Sequence, residues 1–277
     1  MLFGFLRVPA SLHPMIEFVL AYLLLGLAAG FVAGLLGVGG GLIIVPVLAW
    51  LLEAQGLPQN AMHYALGTSL ASILFTSVSS LRAHHARGAV EWLTVRRITP
   101  GILFGTFVGA ALATRLSPVP LKIFFVVFLF YAAAQMWWNF KPGSHRQLPG
   151  FAGMFGAGGV IGAVSSWVGI GGGTLSVPFQ LWCNVPLHRA IGTSAAIGLP
   201  IAAAGAAGYA LNGPADAAVS GTLGYIHLIA LACIASGSVA TAPLGARAAH
   251  ALPVGRLKRT FALFLFALAM RMAWSLL

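Results

Sequence analysis

Long apolar runs alternate with short polar segments along the chain, and most runs match a membrane-spanning helix, which needs about 20 apolar residues. Eight such helices are predicted, at about 16–36, 61–82, 98–116, 121–140, 151–168, 188–211, 223–248 and 257–276. Two further apolar segments, at about 42–52 and 174–183, are too short to span. The pattern therefore predicts an all-α membrane protein, a polytopic helical bundle.

Each short segment directly follows a run of glycines. Gly37-Val38-Gly39-Gly40-Gly41 precedes the first and Gly169-Ile170-Gly171-Gly172-Gly173 precedes the second. Because glycine adopts backbone angles that other residues rarely can, such a run unwinds a helix. We therefore expect each half of the chain to begin with a glycine-broken helical hairpin, followed by three transmembrane helices.

The glycine runs belong to a longer internal repeat. Gly67-Thr68-Ser69 is matched by Gly192-Thr193-Ser194, and Leu121-Lys122 is matched by Leu257-Lys258. The sequence thus predicts a single transmembrane domain over 1–277, with repeats at 16–140 and 151–277 joined by a cytoplasmic linker, 141–150.

The positions of lysine and arginine favour an inverted arrangement of the repeats. If each broken hairpin returns to the side it left, each half has three further crossings, and the halves insert in opposite senses. The cytoplasmic side then holds Arg82, Arg87, Arg96, Arg97, Lys141, Arg146, Arg189, Arg247, Arg256, Lys258 and Arg259, and the outside holds Arg7, Arg115, Lys122 and Arg271. If both repeats had the same orientation, eight of these residues would lie on the cytoplasmic side and seven would lie outside. Because cytoplasmic loops carry the excess of Lys and Arg, we predict inverted repeats with both termini outside.

Composition agrees with a chain immersed in a lipid bilayer. Hydrophobic residues make up 59% of the chain and charged residues only 7%, whereas a globular soluble protein has about 25% charged residues. The net charge of +11 lies between apolar runs, so it is interpreted as a topology signal and not as a nucleic-acid interface.

Glycines spaced by four, such as Gly26 and Gly30 or Gly101 and Gly105, predict close helix packing. Such faces allow a homodimer but can equally pack within the monomer.

The chemistry of the glycine runs points to an anion. Each short segment starts a new helix, whose free N–H groups and dipole favour negative charge. Broken helices in inverted repeats place substrates near the middle of the membrane in many transporters. The candidate substrate-binding residues are therefore Gly39, Gly40, Gly41, Gly171, Gly172, Gly173 and Thr174, which follows the second run. Ser165 and Ser166 precede that run and are further candidates for the cavity lining.

Small hydroxyl pairs occupy matching places in the two halves. Thr68 and Ser69, like Thr193 and Ser194, can donate to an oxyanion without carrying charge. They can equally bond to carbonyls of their own helix. Both interpretations remain open at this point, and the four residues are kept as substrate-binding candidates.

Acidic residues are few, and their placement narrows the function. Glu17, Glu53, Glu91 and Asp216 all lie at predicted helix ends or in loops. Proton and cation carriers usually keep a carboxylate inside the membrane, and enzymes need catalytic or metal-ligating clusters. We therefore expect no catalytic residue, no metal site and no cofactor. A membrane potential that is negative inside pushes an anion outward, so an exporter needs no driving ion.

The duplicated G-x-G-G-G-x4-P, which ends at Pro46 and Pro178, together with the following G-T-S, resembles the sulfite exporter TauE/SafE family of bacterial membrane transporters. The resemblance covers about residue 20 to the end. It implies a multi-pass protein of the bacterial inner membrane that exports sulfite, an organosulfonate or a similar small anion. Transport of another small anion or of a metal cation, or a non-transporting membrane subunit, are the alternatives. Pro200 stands where the first half has Phe75, so the second half is expected to bend there.

Overall fold

The computed structural model describes residues 13–36, 39–57, 59–138, 146–214, 221–251 and 254–276. Ten helices lie within these residues. They are α1 (His13–Leu36), α2 (Gly41–Ala54), α3 (Ala61–His85), α4 (Trp92–Ala113), α5 (Pro118–Trp137), α6 (Phe151–Val168), α7 (Gly173–Trp182), α8 (Leu187–Leu211), α9 (Leu228–Ala251) and α10 (Val254–Trp274). The predicted polytopic helical architecture is confirmed, including the two short segments.

One predicted helix begins differently. The run expected to be helical from 223 starts instead as a small antiparallel hairpin, β1 (Thr222–Leu223) and β2 (Ile226–His227). Gly221 and Gly224 have positive φ values of +82° and +54°, which the hairpin turns require and a helix does not accept. α4 also begins at Trp92, six residues before the expected 98, because its arginines lie at a helix end where their heads can reach water.

The described chain is a multi-pass membrane protein. Six of its described helices are long and apolar enough to cross a bilayer: α1, α3, α5, α6, α8 and α9. α4 and α10 are similar in length but carry basic residues in their first turns. Large apolar side chains such as Leu24, Phe104 and Val127 are more than 60% exposed, as expected for a surface that faces lipid.

Two pairs of helices pack in parallel through glycine. Gly26 of α1 meets the backbone of Ile234 in α9, and Gly30 meets that of Ser238 one turn later. Gly101 and Gly105 of α4 meet the backbone of α6 in the same ascending order, at Phe155 and then Gly159. The expectation that these glycines serve helix packing is confirmed, and a side chain at any of them would separate two backbones.

α3 and α8, which correspond in the repeat, cross at the centre of the molecule in opposite directions. Gly67 near the start of α3 lies against Tyr209 near the end of α8, and Gly205 lies against Leu70. Further along, Ser77 lies beside Gly198. Both helices are largely buried, and one hydrophobic core runs through both halves of the chain.

Candidate functional site

The two glycine runs meet each other. A Cβ on Gly39 would lie 3.2 Å from the backbone nitrogen of Gly171, its counterpart in the other half. A Cβ on Gly41 would overlap the carbonyl oxygen of Gly169. Gly37 lies outside the described residues. The sequence placed these two segments together as the candidate site, and the structure brings them into direct backbone contact.

Each break is built on a left-handed glycine that starts the short helix. Gly40 has φ +73° and is the N-cap of α2, and Gly172 has φ +78° and is the N-cap of α7. A residue with a Cβ is strained in this conformation, so the triple-glycine sequence is needed locally. Gly173 begins α7 as Gly41 begins α2, and both residues are buried.

The meeting point lies halfway along the central helices. Gly171 sits between Ile73, in the middle of α3, and Gly198, in the middle of α8. A Cβ on Gly172 would overlap the side chain of Ile201. The N-termini of both short helices therefore lie beside the middle of α3 and α8.

The G-T-S motif of each central helix packs against the loop that precedes a long helix of the other half. Gly67 packs against the carbonyl of Tyr225, and Gly192 packs against the carbonyl of Ala89 in the matching way. In both cases a Cβ would overlap the carbonyl oxygen. Glycine is required here by close backbone approach, not by its own dihedral angles.

The threonines of the motifs are hydrogen-bond acceptors for the same loops. The Thr68 hydroxyl accepts from the backbone N–H of His227 at 2.9 Å, directly before α9. The Thr193 hydroxyl accepts from the backbone N–H of Glu91 at 2.9 Å, directly before α4. The two repeats thus use the threonine in the same way, to fix the start of a long helix of the other half.

The serines of the motifs also bond outside their own helices. Ser69 donates to the carbonyl of Gly169 at 2.8 Å, which ties α3 to the break of the other half. Ser194 accepts from the hydroxyl of Ser176 in α7 at 2.8 Å. The two serines therefore contact a break or its short helix, the two threonines contact loops, and all four hydroxyl candidates already have partners.

A family model for "Sulfite exporter TauE/SafE" matches residues 22–272. The chain belongs to this family. A "Probable membrane transporter protein" of Haemophilus influenzae is 37% identical over 262 residues, which cover 93% of this chain and 99% of that protein. One of Methanocaldococcus jannaschii is 28% identical over 226 residues, covering 80% of each chain. No solved structure matches the chain.

In this TauE/SafE protein, two serines precede the second break and a threonine follows it. Ser166 donates to the carbonyl of Ala163 within α6, and its own carbonyl accepts from the Tyr209 hydroxyl. Ser165 and Thr174 are fully buried or nearly so, and neither hydroxyl has a hydrogen-bond partner among the described residues. These two are the open hydroxyls next to the second break.

A polar face on α7 was not among the features predicted from the sequence. Ser176 and Gln180 are both buried, and the Gln180 amide donates to the carbonyls of Ser176 and Ala190 at 3.1 and 3.3 Å. The spacing of four between Ser176 and Gln180 in an otherwise apolar segment was the sequence feature that could have predicted this face. This network attaches α7 to the first turn of α8.

A cavity of about 330 Å³ opens at the end of α7, on the side of the linker. It is lined by Glu91, Leu93, Thr94, Gln147, Leu148, Cys183, Asn184, Val185 and Pro186. Glu91 forms an ion pair with Arg189, and the Arg146 guanidinium stacks over Trp182. Burial raises the pKa of the Cys183 thiol, with Arg146 opposing, so this thiol stays protonated at neutral pH.

The basic cluster at the end of α3 lies at the same end of the molecule. Arg82, His84 and His85 occupy the last turn of that helix, and His85 accepts from the Trp92 indole at 3.3 Å. Within the described residues, no group of three or more His, Cys, Asp or Glu could hold a metal ion.

Proposed function

We propose that this chain exports a small sulfur-containing anion, such as sulfite or an organosulfonate, from the bacterial cytoplasm across the inner membrane. The observation that carries the proposal is the contact between the two glycine breaks at the crossing of α3 and α8. A break in a helix at this depth has to be buried in protein or line a cavity for a substrate. A pair of breaks in contact brings the N-termini of both short helices close together, where they can act on one small molecule.

The electrostatics of the breaks support an anion. α2 and α7 both start there, and each helix N-terminus carries the equivalent of about half a positive charge. Glu53 and Glu91 are paired with Lys122 and Arg189 at helix ends, away from the breaks. The dipoles therefore act without a competing carboxylate among the described residues at this depth.

Inverted repeats form part of the proposal. α3 and α8 correspond in the repeat and cross in opposite directions, and α1 pairs with α9 as α6 pairs with α4. Opposite insertion of the halves accounts for both facts and for the Lys and Arg distribution. It places the linker and the cavity beside Cys183 in the cytoplasm, where an anion would start its passage along α7.

Outward transport follows from the membrane potential and agrees with the family's description as an exporter. A potential of about 100 mV, negative inside, favours exit of one negative charge by roughly 2.3 kcal/mol. The relatives are described only as membrane transporters, so the sulfur anion and the direction are proposed for this chain.

The test is efflux from vesicles that contain the purified protein. Vesicles loaded with labelled sulfite or a short sulfonate should lose label faster than protein-free vesicles. Gly40→Leu and Gly172→Leu should abolish this efflux, because both positions have left-handed φ values and closely packed neighbours. Gly156→Leu is the matched control, since no atom lies within 4 Å of its Cβ position. Absence of efflux for every sulfur oxyanion in a panel would refute the proposal.

A further inference from the structure

Two buried hydroxyl groups lie without a partner at the second break. Ser165 is 0% exposed and Thr174 is 4% exposed, and neither hydroxyl meets a hydrogen-bonding atom among the described residues. Buried polar groups in proteins are nearly always satisfied, and an exception calls for an explanation such as a ligand. Ser165 lies in the last turn of α6, before the break, and Thr174 is the second residue of α7, after it.

Both groups lie at the N-terminus of α7, where Thr174 is the second residue. The Ser165 hydroxyl lies 3.8 Å from the Cβ position of Gly172, the N-cap of α7. The first hydrogen bonds of α7 run from the backbone N–H groups of Leu175 and Ser176 to the Gly172 carbonyl. The N–H groups of Gly173 and Thr174 therefore have no acceptor within the described chain. Free N–H groups, the helix dipole and the open hydroxyls together provide donors for an oxyanion.

The first break has the same backbone but lacks the two hydroxyl groups. A Cβ on Gly40 would lie 3.5 Å from the methyl group of Ala33, which takes the place of Ser165. Leu42 takes the place of Thr174 and is buried. An anion at the N-terminus of α2 would therefore meet apolar side chains, so the two halves are not equivalent as binding sites.

The donors at the second break carry no formal charge. Every ionised side chain in the described residues lies within about two turns of a helix end or in a loop, whereas the break lies at the middle of the bundle. The cost of removing an ion from water rises with the square of its charge, and only an opposite charge offsets it well. Neutral donors are thus suited to one negative charge and poorly suited to two.

We propose that the anion site is one-sided: Ser165, Thr174 and the N-terminus of α7 bind a singly charged oxyanion, while the first break forms the apolar wall opposite. This inference rests on the proposed function and specifies its substrate class. The ligand is a sulfonate or the singly protonated form of sulfite, and doubly charged sulfate is excluded. Ser165 and Thr174 determine the specificity.

The test compares a singly and a doubly charged probe in the same vesicles. Labelled methanesulfonate and labelled sulfate are loaded separately, and their efflux is measured against concentration. The full chain should move methanesulfonate at least about tenfold faster than sulfate. Ser165→Ala and Thr174→Val should raise the KM for methanesulfonate about tenfold to a hundredfold, the usual effect of losing a hydrogen bond to a charged group.

Matched variants separate binding from folding. Thr106→Val removes another buried hydroxyl without a partner, which packs against Gly162 of α6 and not against the N-terminus of α7, and it should leave the KM unchanged. Thr174→Ser keeps the hydroxyl and should restore the KM. Equal rates for sulfate and methanesulfonate, or an unchanged KM in both hydroxyl-free variants, would overturn the one-sided site and leave anion export standing. Failure of the wild type to move either probe or any other sulfur anion would overturn both.

Discussion

Replacing Gly41 by alanine should force the two glycine breaks apart. Gly41 is the first residue of α2, a position where alanine has no conformational penalty, so the effect is purely steric. The new methyl group would overlap the Gly169 carbonyl oxygen and lie 3.0 and 3.1 Å from Gly169 C and Ile170 Cα. All three neighbours are backbone atoms, which cannot turn away as a flexible side chain can.

The expected cost is that of overpacking, about 1–3 kcal/mol. It should lower the apparent melting temperature in detergent by roughly 3–10 °C. Displacement of the break by about an ångström should also slow anion efflux about tenfold or more. Tryptophan fluorescence on heating and vesicle efflux measure the two effects on the same preparation.

Gly156→Ala is the matched control, because its methyl group would find open space on the surface of α6. Alanine there should leave efflux unchanged and keep or slightly raise the melting temperature. If Gly41→Ala is as stable and as active as the control, the contact between the breaks is not what holds the site, and the reasoning fails.

Two further predictions concern the loops and the cytoplasmic cavity. Thr68→Val and Thr193→Val should each lower the free energy of unfolding by about 1–3 kcal/mol, because each leaves a loop N–H without its acceptor. Markedly unequal losses in thermal unfolding would contradict the matched roles of the two threonines. Glu91→Gln should change stability by less than about 1 kcal/mol, since its partner Arg189 is half exposed, yet it should lower the KM for anions entering from that side at low salt. An unchanged KM would show that the cavity is not on the path.

The sequence could predict the helices and the meeting of the breaks, since both depend on local composition and on a duplicated pattern. α6 matches the predicted 151–168 at both ends because the polar linker bounds it on one side and Gly169 on the other. The start of α9 could not be predicted in the same way. The hairpin residues Thr222 to Ile226 are apolar enough to continue the helix, and only the turn glycines distinguish them.

The roles of the hydroxyl candidates depended on partners distant in sequence. Thr68 bonds to a residue 159 positions away and Ser69 to one 100 positions away, so no local pattern could reveal either bond. For the same reason, the sequence could not show that the hydroxyl groups of Ser165 and Thr174 have no hydrogen-bond partner among the described residues. Their lack of partners is a property of the packed structure and not of their spacing.

The most direct test of anion export is the distribution of labelled methanesulfonate across vesicles held at a fixed potential. The protein should be inserted in one orientation, with potassium and valinomycin setting about 100 mV, negative on the linker side. Uncoupled transport of one negative charge predicts an equilibrium ratio of about 50-fold in favour of the opposite side. A ratio that stays near one while label still exchanges would contradict the account, because transport would then not be driven by the membrane potential.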